Sequence, residues 1–294
     1  MISNIAAPVI IIGMHRSGTT MVAQLLQHLG LFVGEDLDPN CEPEYFIRLN
    51  DWLLKEAGGA WDQPSAMAKF YGAGDDFIEL NVDYLREILS TWPVSSFIGK
   101  LAYLKGDTPF NMQRMWGWKD PRNTITLPIW LRLFPEAKVL HIHRNGIDVA
   151  ASLQVRAQRE LSEAIAVHER LKRMWRYKFG IKRYGFVESS RVLNLENAFS
   201  LWEEYLEYAY QYDEILGDRI LHVCYEVLLE EPLSSLSEIC KFCEMPSDED
   251  SLLSVISGIK GERGLAFQQN SELMKFYQQV RERPMMLRLG YAGY

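Results

Sequence analysis

Residues 13–20 combine two glycines, an arginine and three hydroxyl side chains in one short loop. Gly13 and Gly18 are separated by four residues, as in the loop that binds nucleoside triphosphates, but Thr19 stands where that loop has a lysine. Since that lysine reaches the β- and γ-phosphates, its absence argues against a triphosphate. Arg16 supplies a basic group three places before Thr19, and Ser17, Thr19 and Thr20 supply hydroxyls. The composition predicts a site for one 5′-phosphate, with a cation beside the group attached to it.

The elements around this loop are those that would position it. The apolar run at 8–12 has no polar alternation, which is typical of a strand buried on both faces of a parallel sheet. After the loop, apolar residues recur at helical spacing from Met21 to Leu29, and Gly30 follows as a helix-ending residue. A strand, loop and helix in this order turn backbone N–H groups and the positive end of the helix dipole toward one point. The alternative is a plain glycine turn before a core helix.

A second basic position follows another buried strand. The run 137–143 is predicted as that strand, and Arg144 ends it. Ser152 lies two helical turns further on, so it and Arg144 can reach one anion. His141 and His143 alternate along the strand and share one face. With no third ligand evident, they are interpreted as core or cleft-wall residues rather than a metal site.

These two motifs resemble those of sulfotransferases that use 3′-phosphoadenosine 5′-phosphosulfate (PAPS). Residues 16–20 read Arg-Ser-Gly-Thr-Thr, as in the family's 5′-phosphosulfate loop, and Arg144 with Ser152 matches its Arg-x7-Ser block, which binds the 3′-phosphate. The resemblance implies transfer of a sulfonate from PAPS to a hydroxyl or amine, leaving 3′-phosphoadenosine 5′-phosphate (PAP). The donor-binding residues that it implies in these motifs are Arg16, Ser17, Gly18, Thr19, Thr20, Arg144 and Ser152.

The same resemblance implies a catalytic group. In several branches of the family, the proposed base is a glutamate about eight residues before a Leu-Asn-Asp segment, and Glu42 takes that place relative to residues 49–51. Glu44 is a rival for the role, and both could instead be ordinary solvated carboxylates. The block Trp-Lys-Asp-Pro-Arg at 118–122 also resembles the family. Lys119 could face the sulfonate or the acceptor, with Arg16 stabilising charge, while Asp120 and Arg122 could equally form a salt-bridged turn.

Two later segments add donor-site expectations. Tyr225 opens the sequence Tyr-Glu-Val-Leu-Leu, which resembles a family segment whose tyrosine borders the adenine. Arg263, in a short segment with Lys260, is expected to supply a cation to the 3′-phosphate. No metal is expected, because sulfuryl transfer needs none.

Composition limits the partners and the compartment. The net charge of −8 disfavours nucleic acid and heavily sulfated glycans, so the expected acceptor is a small molecule or a carbohydrate. No stretch approaches the length needed to cross a bilayer, and residues 1–7 lack the features of a signal peptide. Four scattered cysteines suit a reducing cytoplasm. We therefore expect a cytoplasmic protein without a membrane partner, and the sequence indicates no oligomeric state.

Strands that are each followed by a helix predict an α/β fold. The expectation is a P-loop-like three-layer arrangement with a central, mainly parallel sheet and helices on both faces. Residues 1–294 are expected to form a single domain, with 155–200 as a helical lid insertion. The basic and aromatic run at 170–183 belongs to that insertion and is also the feature that a nucleic-acid-binding module would use. A nucleotide or small-molecule kinase is the other alternative, against which Thr19 counts.

Overall fold

Four strands form one parallel sheet in the order β2-β1-β3-β4. In the computed structural model, which describes residues 6–174, 177, 185–258 and 264–294, the strands are β1 (Val9–Ile12), β2 (Gly117–Lys119), β3 (Lys138–His143) and β4 (Ile220–Cys224). Strand β1 pairs in parallel with both β2 and β3, so the chain crosses to either side of it. Loops that follow β1 therefore lie at the point where strand order diverges, which is where open α/β sheets bind ligands.

Helices make up most of the rest of the described chain. In chain order they are α1 (Thr19–His28), α2 (Glu44–Glu56), α3 (Ala66–Tyr71), α4 (Asp75–Ser90), α5 (Ser95–Ile98), α6 (Lys100–Leu104), α7 (Asn123–Leu133), α8 (Gly146–Leu171), α9 (Leu195–Gln211), α10 (Asp213–Leu216), α11 (Tyr225–Glu230), α12 (Pro232–Phe242), α13 (Glu249–Ile256), α14 (Ser271–Val280) and α15 (Pro284–Arg288). No described helix has the length and apolar character to cross a membrane.

Both faces of the sheet are covered by helices, because its strands carry apolar side chains on both sides. On one face, residues such as Ile11 and Leu140 pack with buried residues of α1, α12 and α13. On the other face, Trp118 of β2 stacks on Phe46 of α2 at 4.3 Å between ring centroids and meets Trp130 of α7 edge-on. The predicted α/β fold with a parallel sheet, a P-loop-like strand–loop–helix unit and helices on both faces is confirmed.

The chain divides into two compact units. The first comprises Met1–Arg144 and Glu204–Gly264, and it contains the whole sheet. The second comprises Asn145–Glu203 and Leu265–Tyr294, and the segment 155–200 falls inside it. The single domain and the lid remain predictions.

In the second unit, polar side chains accept hydrogen bonds from the N–H groups that begin α8 and the short 3-10 helix Ala266–Gln269. Asn145 accepts a hydrogen bond from the N–H of Ile147 at the start of α8. The buried carboxylate of Asp148 accepts from the N–H groups of Ala266 and Phe267 at 3.1 and 2.8 Å. Helix α8 ends at Leu171, close to the start of the basic and aromatic run at 170–183. Residues 175, 176 and 178–183 of this run lie outside the described residues.

Candidate functional site

The loop between β1 and α1 has a backbone that only certain residues tolerate. Gly13, Arg16 and Gly18 have positive φ angles of 139°, 72° and 97°. A Cβ on Gly13 would lie 2.3 Å from the carbonyl oxygen of Ile142, which belongs to the neighbouring strand β3. Positive φ favours glycine because it has no side chain to clash. Glycine is thus required at position 13 by how closely the loop approaches β3.

Buried hydrogen bonds hold the loop in place. The N–H of Gly13 donates to Thr124 Oγ1 at 3.0 Å, and the Ser17 hydroxyl donates to the carbonyl of Met14 at 2.7 Å. Ser17 and Thr19 are buried, whereas Arg16 is exposed. Helix α1 begins at Thr19, and no side chain of the described residues caps it. The first N–H groups of a helix have no partner within it, so this end can receive an anion.

Tyr225 connects this loop to the end of β3. A Cβ on Gly18 would lie 2.3 Å from a ring carbon of Tyr225, so only glycine allows this ring to lie against the loop. The guanidinium carbon of Arg144 lies 4.9 Å from the centroid of the same ring, in a cation–π arrangement. The loop, Tyr225 and Arg144 are therefore contiguous within the first unit, although 207 residues separate Gly18 from Tyr225 in the sequence.

A tight turn before α2 positions Glu42. Leu37 and Pro43 form an antiparallel bridge, and the carboxylate of Asp38 accepts from the N–H of Glu42 at 2.8 Å. Cys41 completes the turn with a φ of 61°. Glu42 is 6% exposed, whereas Glu44 is exposed and pairs with Arg48 four residues on. The two rival carboxylates thus occupy different environments.

Lys119 joins Glu42 to the loop. Its ammonium donates to Glu42 Oε1 at 2.7 Å and to Thr20 Oγ1 at 3.2 Å, and the side chain is buried. Burial raises the pKa of the Glu42 carboxyl above its ordinary value, and the Lys119 charge opposes that shift. A buried carboxylate beside the predicted phosphate loop can accept a proton, and the lysine between them can stabilise negative charge.

The turn that follows Lys119 is a salt-bridged turn, and it also lies next to Glu42. Arg122 Nε donates to Asp120 Oδ1 at 2.9 Å, and a second nitrogen of Arg122 lies 3.5 Å from Glu42 Oε2. Arg122 also donates to Asp51 at 2.5 Å. Burial by itself lowers the pKa of Arg122, but Asp120 and Asp51 together hold it above its ordinary value. The two interpretations that the sequence left open are compatible.

Two polar residues of the site region were missed by sequence reasoning. Asn50 donates to Asp120 Oδ2 at 2.8 Å and accepts from Thr126 and Trp130 in the buried interior. Thr124 holds the first glycine of the loop, as described above. Asn50 belongs to the Leu-Asn-Asp segment used to align Glu42, which was the available signal. Nothing in the local sequence distinguishes Thr124 from any threonine near a helix start.

Two predicted donor-site residues are not among those that the described part of the first unit brings together around the loop. Ser152 is half-buried in α8 of the second unit, and its partnership with Arg144 stays a prediction. Arg263 lies outside the described residues, as does Lys260.

The two strand histidines are core residues of a buried aromatic cluster. His141 and His222 share a hydrogen bond between their Nδ1 atoms at 2.7 Å, and His222 Nε2 contacts Asp213 at 2.7 Å. Tyr210 stacks on His222. Burial lowers the pKa of His143 to about 4, so this ring is neutral near pH 7. Among the described residues, no group of three or more histidine, cysteine or acidic side chains is arranged to hold a metal ion, and the four cysteines are unbridged.

Comparisons with solved structures return sulfotransferases of low similarity. A sulfotransferase domain from the curacin biosynthetic pathway is 17% identical, with a TM-score of 0.47 over 89% of this chain and 81% of that one. Sulfotransferase STF9 from Mycobacterium avium is 16% identical, with a TM-score of 0.43 over 94% and 76%. A sulfotransferase domain from the olefin synthase of Synechococcus PCC 7002 is 19% identical, with a TM-score of 0.43 over 94% and 89%.

Sequence comparison identifies the family. An uncharacterized protein of Aquifex aeolicus (strain VF5) is 22% identical over 242 residues, which is 82% of this chain and 26% of that protein. The chain thus spans about a quarter of the length of this relative. The sequence model of the sulfotransferase family matches residues 8–250, which include the loop, Glu42, Lys119, Arg144 and Tyr225. Since that match covers most of the chain, the protein belongs to the sulfotransferase family.

Proposed function

We propose that this protein transfers the sulfonate group of PAPS to a hydroxyl or amine of a small-molecule or carbohydrate acceptor. The observation that supports this most directly is the bridge made by Lys119, which contacts both Glu42 and Thr20 of the loop. Lys119 thus links the proposed proton acceptor to the predicted phosphate loop, which lacks the lysine found in loops that bind nucleoside triphosphates. A kinase would need that lysine, and Thr19 occupies its place.

The donor residues fit the group that the family implies. Glycines at 13 and 18 let the loop pack closely against Ile142 and Tyr225, and the start of α1, which has no side-chain cap, presents N–H groups to an anion. Ser17, Thr19 and Thr20 would contact the 5′-phosphosulfate through their backbone or hydroxyls. Arg144 would hold the 3′-phosphate with Ser152 and Arg263, while Tyr225 would border the adenine.

Three side chains would carry the chemistry. PAPS supplies a sulfonate whose bond to the phosphate oxygen breaks as a bond to the acceptor oxygen or nitrogen forms, and the electron pair leaves on PAP. Glu42 would accept the acceptor proton. Arg16, Lys119 and the N–H groups of the loop would stabilise negative charge that spreads over the transferring oxygens. No step in this proposal uses a metal.

Calorimetry tests the donor assignment without an acceptor. PAP, ADP and ATP are titrated separately into the protein in the absence of magnesium. We expect clear preference for PAP, because only PAP carries the 3′-phosphate that Arg144 would recognise. Tighter binding of ATP, or no binding of any of the three, would overturn the proposal. A screen of alcohols, phenols, sugars and amines with labelled PAPS then identifies the acceptor.

A further inference from the structure

Glu42 has two cationic neighbours, and each of them approaches a different oxygen. Lys119 donates to Oε1 at 2.7 Å, and Arg122 lies 3.5 Å from Oε2. Other charges near Glu42 are the carboxylates of Asp120, which acts through space, and Asp38, which accepts the Glu42 N–H. The two cations differ in how firmly they are held, and that difference indicates separate roles.

Arg122 is held on several sides. Asp120 accepts from both its backbone N–H and its Nε at 2.9 Å, and Asp51 accepts from Nη1. Asp120 is fully buried and is fixed in turn by Asn50 at 2.8 Å. A planar guanidinium paired with carboxylates in this way has little freedom to turn away.

Lys119 has a different set of partners. Its ammonium contacts Glu42 and Thr20, and Thr20 belongs to the predicted phosphate loop. An anion bound at that loop would offer Lys119 a second negative partner a short distance from the first. A lysine ammonium is a point charge on a flexible stem, so it can change partners without moving the backbone.

We propose that Arg122 is a positioning residue, which holds the Glu42 carboxylate in place and ionised when Lys119 turns toward an anion in the loop. This inference rests on the proposed role of Glu42 as the base. In it, Asp120 orients Arg122 in addition to acting on Glu42 through space, and Asn50 acts by holding Asp120. Lys119 is the exchangeable partner of Glu42, and Arg122 is the fixed one.

The first test removes the Arg122 charge without leaving Asp120 as an unpaired buried charge. The double variant Arg122→Gln/Asp120→Asn replaces both ions with uncharged amides, because deleting Arg122 alone would leave Asp120 as an uncompensated buried charge. Asp120→Asn alone is the reference, since the Asp120 charge itself raises the Glu42 pKa and Arg122 keeps Asp51 as a partner in this variant. The Glu42 pKa is measured by carboxyl carbon-13 NMR with PAP added, and the signal is assigned by its loss in Glu42→Gln. We expect the pKa to be about one unit or more higher in the double variant than in Asp120→Asn. In the matched control Arg132→Gln, which loses a surface pair with Glu79, the Glu42 titration should stay as in the wild type.

The second test keeps the charge and removes the planar group. Arg122→Lys should leave the Glu42 pKa within a few tenths of a unit and PAP affinity unchanged. Release of inorganic sulfate from PAPS, with water in place of the acceptor, should fall about 10-fold or more because the carboxylate is less well positioned. This variant decides the question if the double variant does not fold. A Glu42 pKa in the folded double variant equal to that in Asp120→Asn, or sulfate release at the wild-type rate in Arg122→Lys, would overturn the inference.

Failure of the underlying function gives a different result. If Glu42→Gln releases sulfate at the wild-type rate, Glu42 is not the base, whatever Arg122 does to its pKa. If PAP does not bind, the donor assignment fails before any variant is compared. Failure of the Arg122 inference alone leaves PAP binding and the loss of activity in Glu42→Gln intact.

Discussion

Lys119 and Glu42 form a buried ion pair at 2.7 Å across 77 residues of sequence, and the lysine also contacts Thr20 of the predicted phosphate loop. Burial raises the pKa of the Glu42 carboxyl, and the Lys119 charge opposes that shift. A buried carboxylate that is paired in this way beside the predicted phosphate loop fits the proposed role of a general base. We therefore expect turnover to depend on Glu42.

Glu42→Gln should abolish most of the transfer to the acceptor that the screen identifies. The amide keeps the shape and can still accept from Lys119, but it cannot take a proton. We expect kcat to fall by about 10²- to 10⁴-fold, the usual contribution of general base catalysis, with PAP affinity preserved. Steady-state kinetics and PAP calorimetry measure the two effects separately.

Glu44→Gln is the matched control for Glu42→Gln. Glu44 is exposed and pairs with Arg48, so its substitution should leave kcat near that of the wild type. The reverse pattern, with Glu44→Gln inactive and Glu42→Gln active, would transfer the role to Glu44. Unchanged turnover in both would remove a carboxylate of this segment from the mechanism.

Arg144→Ala should weaken binding only of nucleotides that carry a 3′-phosphate. Loss of one charge-assisted contact should reduce PAP affinity about 10- to 100-fold, or about 1.4–2.8 kcal/mol. Calorimetry with adenosine 5′-phosphosulfate, which lacks the 3′-phosphate, provides the comparison. An equal loss for both nucleotides would refute the assignment, because Arg144 would then act through Tyr225 or the fold.

The local sequence was sufficient to predict two strands of the sheet and the glycine loop between β1 and α1. The runs at 8–12 and 137–143 identify the strands, and the Gly13–Gly18 spacing identifies the loop, because both are determined by residues close together in the chain. The contact of Lys119 with Glu42 could not be predicted in this way. It depends on how β2 and the turn before α2 come together, and residue types alone do not encode a distance across 77 positions.

The contacts that hold the loop and Asp120 in place could not be predicted from the sequence for the same reason. Thr124 holds the N–H of Gly13 across 111 residues, and Asn50 reaches Asp120 across 70. Both are ordinary polar residues in helical segments, so no spacing rule marks them. The resemblance to a family did indicate Glu42 and Lys119, but only the three-dimensional contacts connect Arg122 to them.

Thr124→Val should destabilise the loop by removing the hydrogen-bond acceptor of Gly13. The N–H of Gly13 is buried and would lose its acceptor, which typically costs about 1–3 kcal/mol. Urea unfolding should show that loss, and PAP affinity should fall because Gly13 begins the loop. Thr124→Ser keeps the hydroxyl and should recover most of both properties. If Val and Ser behave alike, the lost contact is packing by the methyl group rather than the hydrogen bond.

Gly18→Ala and Gly30→Ala separate strain from steric overlap. Both glycines have left-handed backbones, with φ angles of 97° and 101°. A Cβ at position 30 meets nothing within 4 Å, whereas one at position 18 would overlap Tyr225. Gly30→Ala should therefore lose only about 1–2 kcal/mol of stability and keep PAP binding. Gly18→Ala should lose more stability and also bind PAP more weakly. Equal effects of the two substitutions would show that the Tyr225 ring yields without consequence.

Protonation of His143 should make the protein less stable in mild acid. Burial lowers its pKa from an ordinary value of 6.5 to about 4, so the folded protein binds fewer protons than the unfolded chain between these values. The stability that the neutral ring contributes is fully present above pH 6.5 and is lost as the pH falls toward 4. At pH 5 the free energy of unfolding should be about 2 kcal/mol lower than at pH 8 because of this residue.

Urea unfolding of the wild type and of His143→Gln at both pH values measures this difference, because the carboxylates that also titrate are common to both proteins. The variant should lose about 2 kcal/mol less than the wild type, and an equal loss would mean that His143 is already charged, or solvated, in the folded protein.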